Sequence, residues 1–222
     1  AAPAGGGAAP VVTRAGGRVV ARGQDYEATL EGGVLGSLMI RGKPVVVGPV
    51  EHLFYRAPVD NDRCGIDLFV PALRQLPGVI QHLLKDKMSL AWEWGALGLD
   101  RVVVLATTTT VEEGEDVVSQ DHGPQGGPVL FRTTTRYGFF PSHIRLAVTV
   151  TPQSRLRAAR SLPRIGVQLP LAPALSAAQY RGLGPRENYA DRRSCARDGV
   201  WRGGVDDGGA AGLTTPYVVP QE

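Results

Sequence analysis

Three groups of carboxylates have the residue types that acid/base or metal chemistry needs. Asp60 and Asp62 flank Asn61, Glu112, Glu113, Glu115 and Asp116 form a short acidic cluster, and Asp206 and Asp207 precede Gly208 and Gly209. Paired carboxylates can share a proton or hold a cation. The second and third groups lie in polar, Gly-containing text and read as solvated loops, the second as the tip of a hairpin. The DND run reads equally as a functional loop or as a turn whose Asp and Asn side chains bond their own backbone.

Other chemistries find less support. His52, His82, His122 and His143 are scattered, and neither Cys64 nor Cys195 has a nearby His. Zinc-ligand spacing and a Cys-His dyad are therefore missing. Two cysteines cannot make a disulfide scaffold; one bridge is open to them, and a reduced compartment is the simpler reading. GLGPREN contains GxG, but Pro185 follows at once. No helix can start there to turn its amides toward a phosphate. Trp92 and Trp94 fall on opposite sides of a helix or a strand, so at least one belongs to the core. Trp201, in turn-rich text, either stacks on a sugar face or packs against Tyr189 or Tyr217.

The elements that must position these residues read as mostly β. The chain has 222 residues, 43% hydrophobic and 20% charged, with 29 Gly and 17 Pro. That suits a packed chain with many turns. GRVVAR from Gly17, YEATLE from Tyr26 and VLGSLMI from Val34 have strand length, and Gly32-Gly33 marks a turn. Val45, Val46 and Val47 make another short strand. EHLFYRAPVDNDRCG reads as a loop after a short strand. The stretch 66–88 is ambiguous, although VIQHLLKDK has helical spacing. SLAWEWGALGLD is a clearer helix, capped by Ser89 and ended by Gly98. RVVVLATTTTVE is β-branched and reads as a strand. EEGEDVVSQDHGPQGGP reads as a mobile hairpin tip. VLFRTTTRYGFF, HIRLAVTVTP, RIGVQLPL and LSAAQYRGLG supply further strands. Antiparallel strands with one or two inserted helices argue for a β-sandwich.

Charge and segment composition exclude other classes. The net charge is +3, and only Lys43, Lys85 and Lys87 of the 24 basic residues are lysines. The Arg-rich stretches 155–164 and 181–202 are broken by apolar residues, so no basic stripe for nucleic acid is expected. No apolar run approaches the ~20 residues of a membrane span. AAPAGGGAAP lacks the order of a signal peptide. Residues 1–16 read as a flexible linker, 17–222 as one domain, and the cytoplasm as the compartment.

Three longer motifs add a family. FYRAPVDNDR, GLGPRENYADR and TPYVVPQE, in this order and at this separation, resemble the small-chain domain of the large bacterial-type β-galactosidases. AWEWGALGLDR and LPRIGVQL also resemble that family's text. The resemblance covers 17–222. It implies a sandwich of galactose-mutarotase-like type, incomplete at the C-terminus, in an enzyme whose chemistry lies in a separate (β/α)8 barrel. Terminal β-galactosides such as lactose are hydrolysed there with retention by two Glu residues, neither of which matches a position in this chain. The implied role is a non-catalytic accessory domain that completes the active-site wall and gives assembly surface.

The resemblance places Arg63, Cys64, Gly65, Ile66 and Asp67 in a substrate-proximal loop. It gives structural roles to Arg56, Asp60, Asn61, Asp62, Gly184, Pro185, Glu187, Asn188, Tyr189, Asp191, Arg192, Tyr217, Gln221 and Glu222. Cys64 stands where the family has Gly, Ala190 stands where it has Pro, and 66–88 reads as an insertion. No cofactor is expected in this chain; the family's Mg and Na ions bind elsewhere in the enzyme. The implied partners are the catalytic barrel, the C-terminal half of the sandwich, a β-galactoside and further copies in a homo-oligomer.

The competing readings are a stand-alone carbohydrate-binding module, a mutarotase-like epimerase and a structural remnant that binds nothing. An epimerase needs a His and a Glu facing one pocket. On the leading reading the isolated chain is inactive. It is poorly stable alone, with helix only between 66 and 99. Arg56 then holds a carboxylate of a fixed DND turn.

Overall fold

The computed structural model describes residues 8–58, 89–184 and 197–204. They fall in two compact units, Ala1–Pro170 and Leu171–Glu222.

The first unit is built from antiparallel strands. β1 (Val11–Ala15), β2 (Arg18–Arg22), β3 (Tyr26–Glu31), β4 (Val34–Ile40) and β5 (Lys43–Val46) form a five-stranded meander in chain order. β7 (Val102–Glu112), β8 (Glu115–Pro124), β9 (Phe131–Phe139) and β10 (Ile144–Pro152) form a second meander. β6 (Glu51–Leu53) pairs with β11 (Gly166–Gln168). Two-residue turns fix the hairpin registers. Gly16 and Gly17, Gly32 and Gly33, Arg41 and Gly42, and Glu113 and Gly114 all have positive φ, as the turn that matches strand twist requires.

The two meanders face each other as a sandwich. Val19, Ala21, Tyr26, Ala28, Leu30, Leu35 and Val46 of the first sheet pack with Val118 and Tyr137 of the second. The Tyr137 hydroxyl accepts the Leu35 amide at 3.3 Å, and the Tyr26 hydroxyl donates to the Phe140 carbonyl at 2.9 Å. Burial of both phenols raises their pKa.

A second cluster joins Phe54, Trp94, Leu99, Leu130, Phe131 and Leu156. Here lies α1 (Leu90–Leu97), the α-helix among the described residues. The Ser89 hydroxyl accepts the Trp92 amide, and Gly98 closes the helix at φ 77°, as the sequence predicts. Trp94 is 1% exposed and Trp92 52%, so the two indoles divide as expected. The Trp94 indole N–H reaches the Ser161 carbonyl at 3.1 Å.

Several expectations change. Val11–Ala15, inside the stretch read as linker, is a strand in register with β2; sheet pairing outweighs its Gly- and Ala-rich flank. EEGEDVVSQDHGP is not a hairpin tip. Only Glu113 and Gly114 turn, and Glu115–Pro124 is an inner strand between β7 and β9. Asp116 in that acidic cluster is 1% exposed rather than solvated.

The second unit contains β12 (Ala177–Gly184) paired antiparallel with β13 (Arg197–Gly204). Trp201 lies in that strand, not in a turn, and its indole N–H donates to the Gly182 carbonyl at 3.0 Å. The architecture is mainly β and antiparallel, consistent with a sandwich.

Candidate functional site

Most of the motif residues lie outside the described residues. These are Asp60, Asn61, Asp62, Arg63, Cys64, Gly65, Ile66, Asp67, Pro185, Glu187, Asn188, Tyr189, Asp191, Arg192, Tyr217, Gln221 and Glu222, as does the stretch 66–88. Gly184 ends β12, opposite Arg197. Arg56 follows β6 and donates to the Ala57 carbonyl at 3.2 Å. Its guanidinium lies 5.3 Å from the centre of the Trp94 ring, a distance at which cation and π face attract. Of the motif residues, Arg56 and Gly184 are the two that lie among the described residues.

The described residues build a different site between the sheets. Antiparallel strands put alternate residues on one face. On β8 that rule turns Asp116, Val118, Gln120 and His122 inward, and on β9 Phe131, Thr133, Thr135 and Tyr137; all are buried. β6 brings His52 to the same place. His122 Nε2 and Thr133 Oγ1 share a hydrogen bond of 2.9 Å, and His52 Nε2 and Thr135 Oγ1 one of 3.2 Å. The two imidazoles meet edge-on at 5.6 Å. Phe54 packs against His122 at 4.9 Å and stacks on Phe131 at 4.2 Å.

A cavity of about 360 Å³ opens beside this pair, with Glu51, His52, Gln120 and His122 among Val34, Val50, Phe54, Val102 and Val104. His52 Nδ1 is buried without a hydrogen-bond partner among the described residues. An unsatisfied buried nitrogen costs about 1–3 kcal/mol.

Electrostatics fix what these groups can do. Burial, and then the neighbouring His52, push the His122 pKa down to about 4, while Asp121 pulls weakly the other way. Burial also lowers the His52 pKa. Near neutral pH both rings are uncharged. They can give or accept hydrogen bonds, but they are poor proton donors.

Sequence reading missed this pair. His52 and His122 are 70 positions apart, and only the packing of β6 against the inner face of β8 and β9 brings them together. The one available signal was that three of four alternate positions, Asp116, Gln120 and His122 around Val118, are polar, which marks a strand with a polar inner face.

Among the described residues, no group of three His, Cys, Asp or Glu could hold a metal ion. No helix among them is long and apolar enough to cross a membrane.

Known proteins resemble the chain along nearly its whole length. A family model described as β-galactosidase small chain matches residues 21–222. A β-galactosidase of Vibrio cholerae is 34% identical over 210 residues, covering 92% of this chain and 18% of the relative. One of Pectobacterium atrosepticum is 27% identical over 213 residues, with the same two shares, 92% and 18%. One of Lactococcus lactis is 28% identical over 185 residues, covering 82% of this chain and 16% of that protein. The chain thus spans less than a fifth of the curated relatives it matches, and with a family match from residue 21 to residue 222 it belongs to the β-galactosidase small chain family.

Proposed function

We propose that the chain is an accessory domain of a β-galactosidase that hydrolyses terminal, non-reducing β-D-galactosides. One observation carries this reading: the match over residues 21–222 to a family described as the small chain of that enzyme. Retaining hydrolysis needs a nucleophilic carboxylate and an acid/base carboxylate about 5 Å apart. In this reading both belong to a barrel domain elsewhere in the polypeptide. The loop of Arg63, Cys64, Gly65, Ile66 and Asp67 completes the wall of that active site. The barrel, the C-terminal half of the sandwich and further copies of the enzyme are its partners. The enzyme works in the cytoplasm, and its Mg and Na ions bind outside this chain.

A mutarotase-like activity has one observation to recommend it, since Glu51, His52 and His122 line a single cavity. The same site argues against it. An epimerase needs a protonated acid facing its base, and His122, with a pKa of about 4, is neutral at physiological pH.

A chromogenic β-galactoside separates the readings. The 222-residue chain is expected to leave it intact, and the whole encoded polypeptide to cleave it. Turnover by the purified chain, or none by the whole polypeptide, overturns the proposal. Acceleration of galactose anomer exchange by the chain would favour the mutarotase reading.

A further inference from the structure

Among the described residues, β6 is held to the second sheet by side chains rather than by backbone. Its backbone pairs with β11, Glu51 with Gln168, His52 with Val167 and Leu53 with Gly166. The two strands make a ribbon of their own, joined to no larger sheet among the described residues. A lone two-stranded ribbon is marginal in water. Packing on β8 and β9 therefore decides whether this one stays in place.

Two side chains from the ribbon make that packing. His52 shares a hydrogen bond with Thr135 of β9, and its ring meets His122 of β8 edge-on. Phe54, just past β6, stacks on Phe131 and lies against His122. His122 is fixed in turn by Thr133. The two histidines thus face each other across the seam, one on the ribbon and one on the sheet.

The seam suits neutral rings. A protonated imidazole carries N–H on both nitrogens and needs an acceptor for each. Each ring has a threonine hydroxyl at Nε2, and His52 Nδ1 is buried without a partner among the described residues. Two charged rings at 5.6 Å would also repel. Little opposite charge faces them. β7 from Val102 to Val111 and β11 carry no charge, and β9 turns Thr133, Thr135 and Tyr137 inward. Val34, Pro49 and Val50 approach from the first sheet and the segment after it. On β8, Asp116 is taken by Arg14. Asp121 is taken by Arg132 on the outer face, and its pull on His122 is outweighed by burial and by His52. On β6, Glu51 is exposed, where water screens it.

We propose that His52 and His122 form an acid-released latch. Neutral, they hold the β6–β11 ribbon on the inner face of the second sheet; protonated, they let the ribbon detach while both large sheets stay folded. Detachment returns the rings to water and to their ordinary pKa of 6.5, against about 4 for His122 in the closed seam. The latch is therefore complete above about 6.5 and weakens as the pH falls toward 4. From His122 alone, opening is favoured roughly 20-fold more at pH 5 than at pH 7. His52, also lowered by burial, adds to this. The latch does not depend on the functional reading above.

Hydrogen exchange on the whole encoded polypeptide tests this, read on peptides and corrected for the intrinsic pH dependence of amide exchange. Between about pH 7 and about pH 5, peptides of β6 and β11 should lose protection by about 20-fold or more, and peptides of β2 and β3 should keep theirs. Unchanged protection of β6 and β11 overturns the latch. So does an equal loss in β2 and β3, because the whole unit is then unfolding. His52→Gln and His122→Gln can each still hydrogen-bond a threonine but cannot take up a proton. Each should shrink the loss, and the two together should abolish it. A loss of wild-type size in the double variant assigns it to other groups and overturns the proposal. Should the double variant not fold, the single variants carry the test, and a loss unchanged in both overturns it.

Discussion

The two sheets of the larger unit turn opposite chemistry toward the space they share. The first offers Val19, Ala21, Tyr26, Ala28, Leu30, Leu35 and Val46. The second offers Asp116, Gln120, His122, Thr133 and Thr135 around Val118, Phe131 and Tyr137. Both faces are buried, but for different reasons. Apolar side chains gain from leaving water whatever they touch, about 25 cal/mol per Å². Polar ones are tolerated only when matched, because an unmatched buried group loses its water for nothing. The first face should therefore be sensitive to volume, and the second to partners and to protonation.

Leu30→Ala should give the largest effect. Leu30 has no exposed surface and sits among first-sheet side chains and Val118. The expected loss is about 2–5 kcal/mol, from transfer plus the cavity left behind. Urea unfolding of the 222-residue chain measures it. A loss below that of Ser89→Ala would place the core elsewhere.

Arg14→Ala tests the second face. Arg14 holds Asp116 through two bonds of 3.0 and 2.7 Å, with Asp116 1% and Arg14 37% exposed. Removing Arg14 strands a buried carboxylate, while Asp116→Asn leaves an Arg that can still reach water. We expect about 2–3 kcal/mol for Arg14→Ala, below a fully buried pair because Arg14 is part-solvated. Asp116→Asn should cost clearly less. Equal losses would mean that Asp116 finds another partner, and the contrast between the faces would weaken.

Acid should loosen the second face selectively. His122 titrates at about 4 in the folded chain against an ordinary 6.5. Below 6.5 the unfolded chain gains a proton that the folded chain refuses. The stability is therefore complete above about 6.5 and is lost as the pH falls toward 4. The ceiling is about 3.5 kcal/mol, at about 1.4 kcal/mol per unit. His52, also lowered by burial, acts in the same direction. His122→Gln should flatten the pH dependence of the urea midpoint between 6.5 and 4. An unchanged slope would assign the acid sensitivity to other groups.

Ser89→Ala should cost about 1 kcal/mol, the usual worth of an N-cap. This cap was legible in the sequence because its signal is local: Ser89 before a helical run and Gly98 after it. The same is true of Gly32-Gly33, and of strands whose inner residues are apolar, such as Tyr26–Glu31. β8 was misread for the converse reason. Its inner positions include Asp116, Gln120 and His122, so its alternation resembles that of a solvated loop. The burial of Asp116 depends on Arg14, about a hundred positions away, and no local pattern encodes that pairing. The cavity and its two histidines were hidden likewise. The family was legible because RAPVDND and GLGPRENY are long and contiguous, which is independent of where they fold.

The smallest effect should come from Asp121, an outward-facing paired carboxylate on β8, and that contrast isolates burial as the cause. Asp121 accepts two bonds from Arg132, at 2.7 and 3.1 Å, much as Asp116 accepts two from Arg14. The bonds from Arg132 lower the Asp121 pKa. Yet Asp121 points outward, and the Arg132 side chain is 56% exposed. Water solvates each charge almost as well when the pair is broken, and salt screens what attraction is left. A lowered carboxylate pKa stabilises the fold above about 3.8, and that contribution is lost as the pH falls through the folded value. Asp121→Asn at pH 7 and low salt should therefore move the urea midpoint less than Asp116→Asn does, and added salt should erase the difference from wild type. Two carboxylates five residues apart, with near-identical ligation, would then differ in consequence only through the face they occupy. Equal midpoints for Asp121→Asn and Asp116→Asn would show that the bidentate geometry, rather than the inner face of the second sheet, sets the energy.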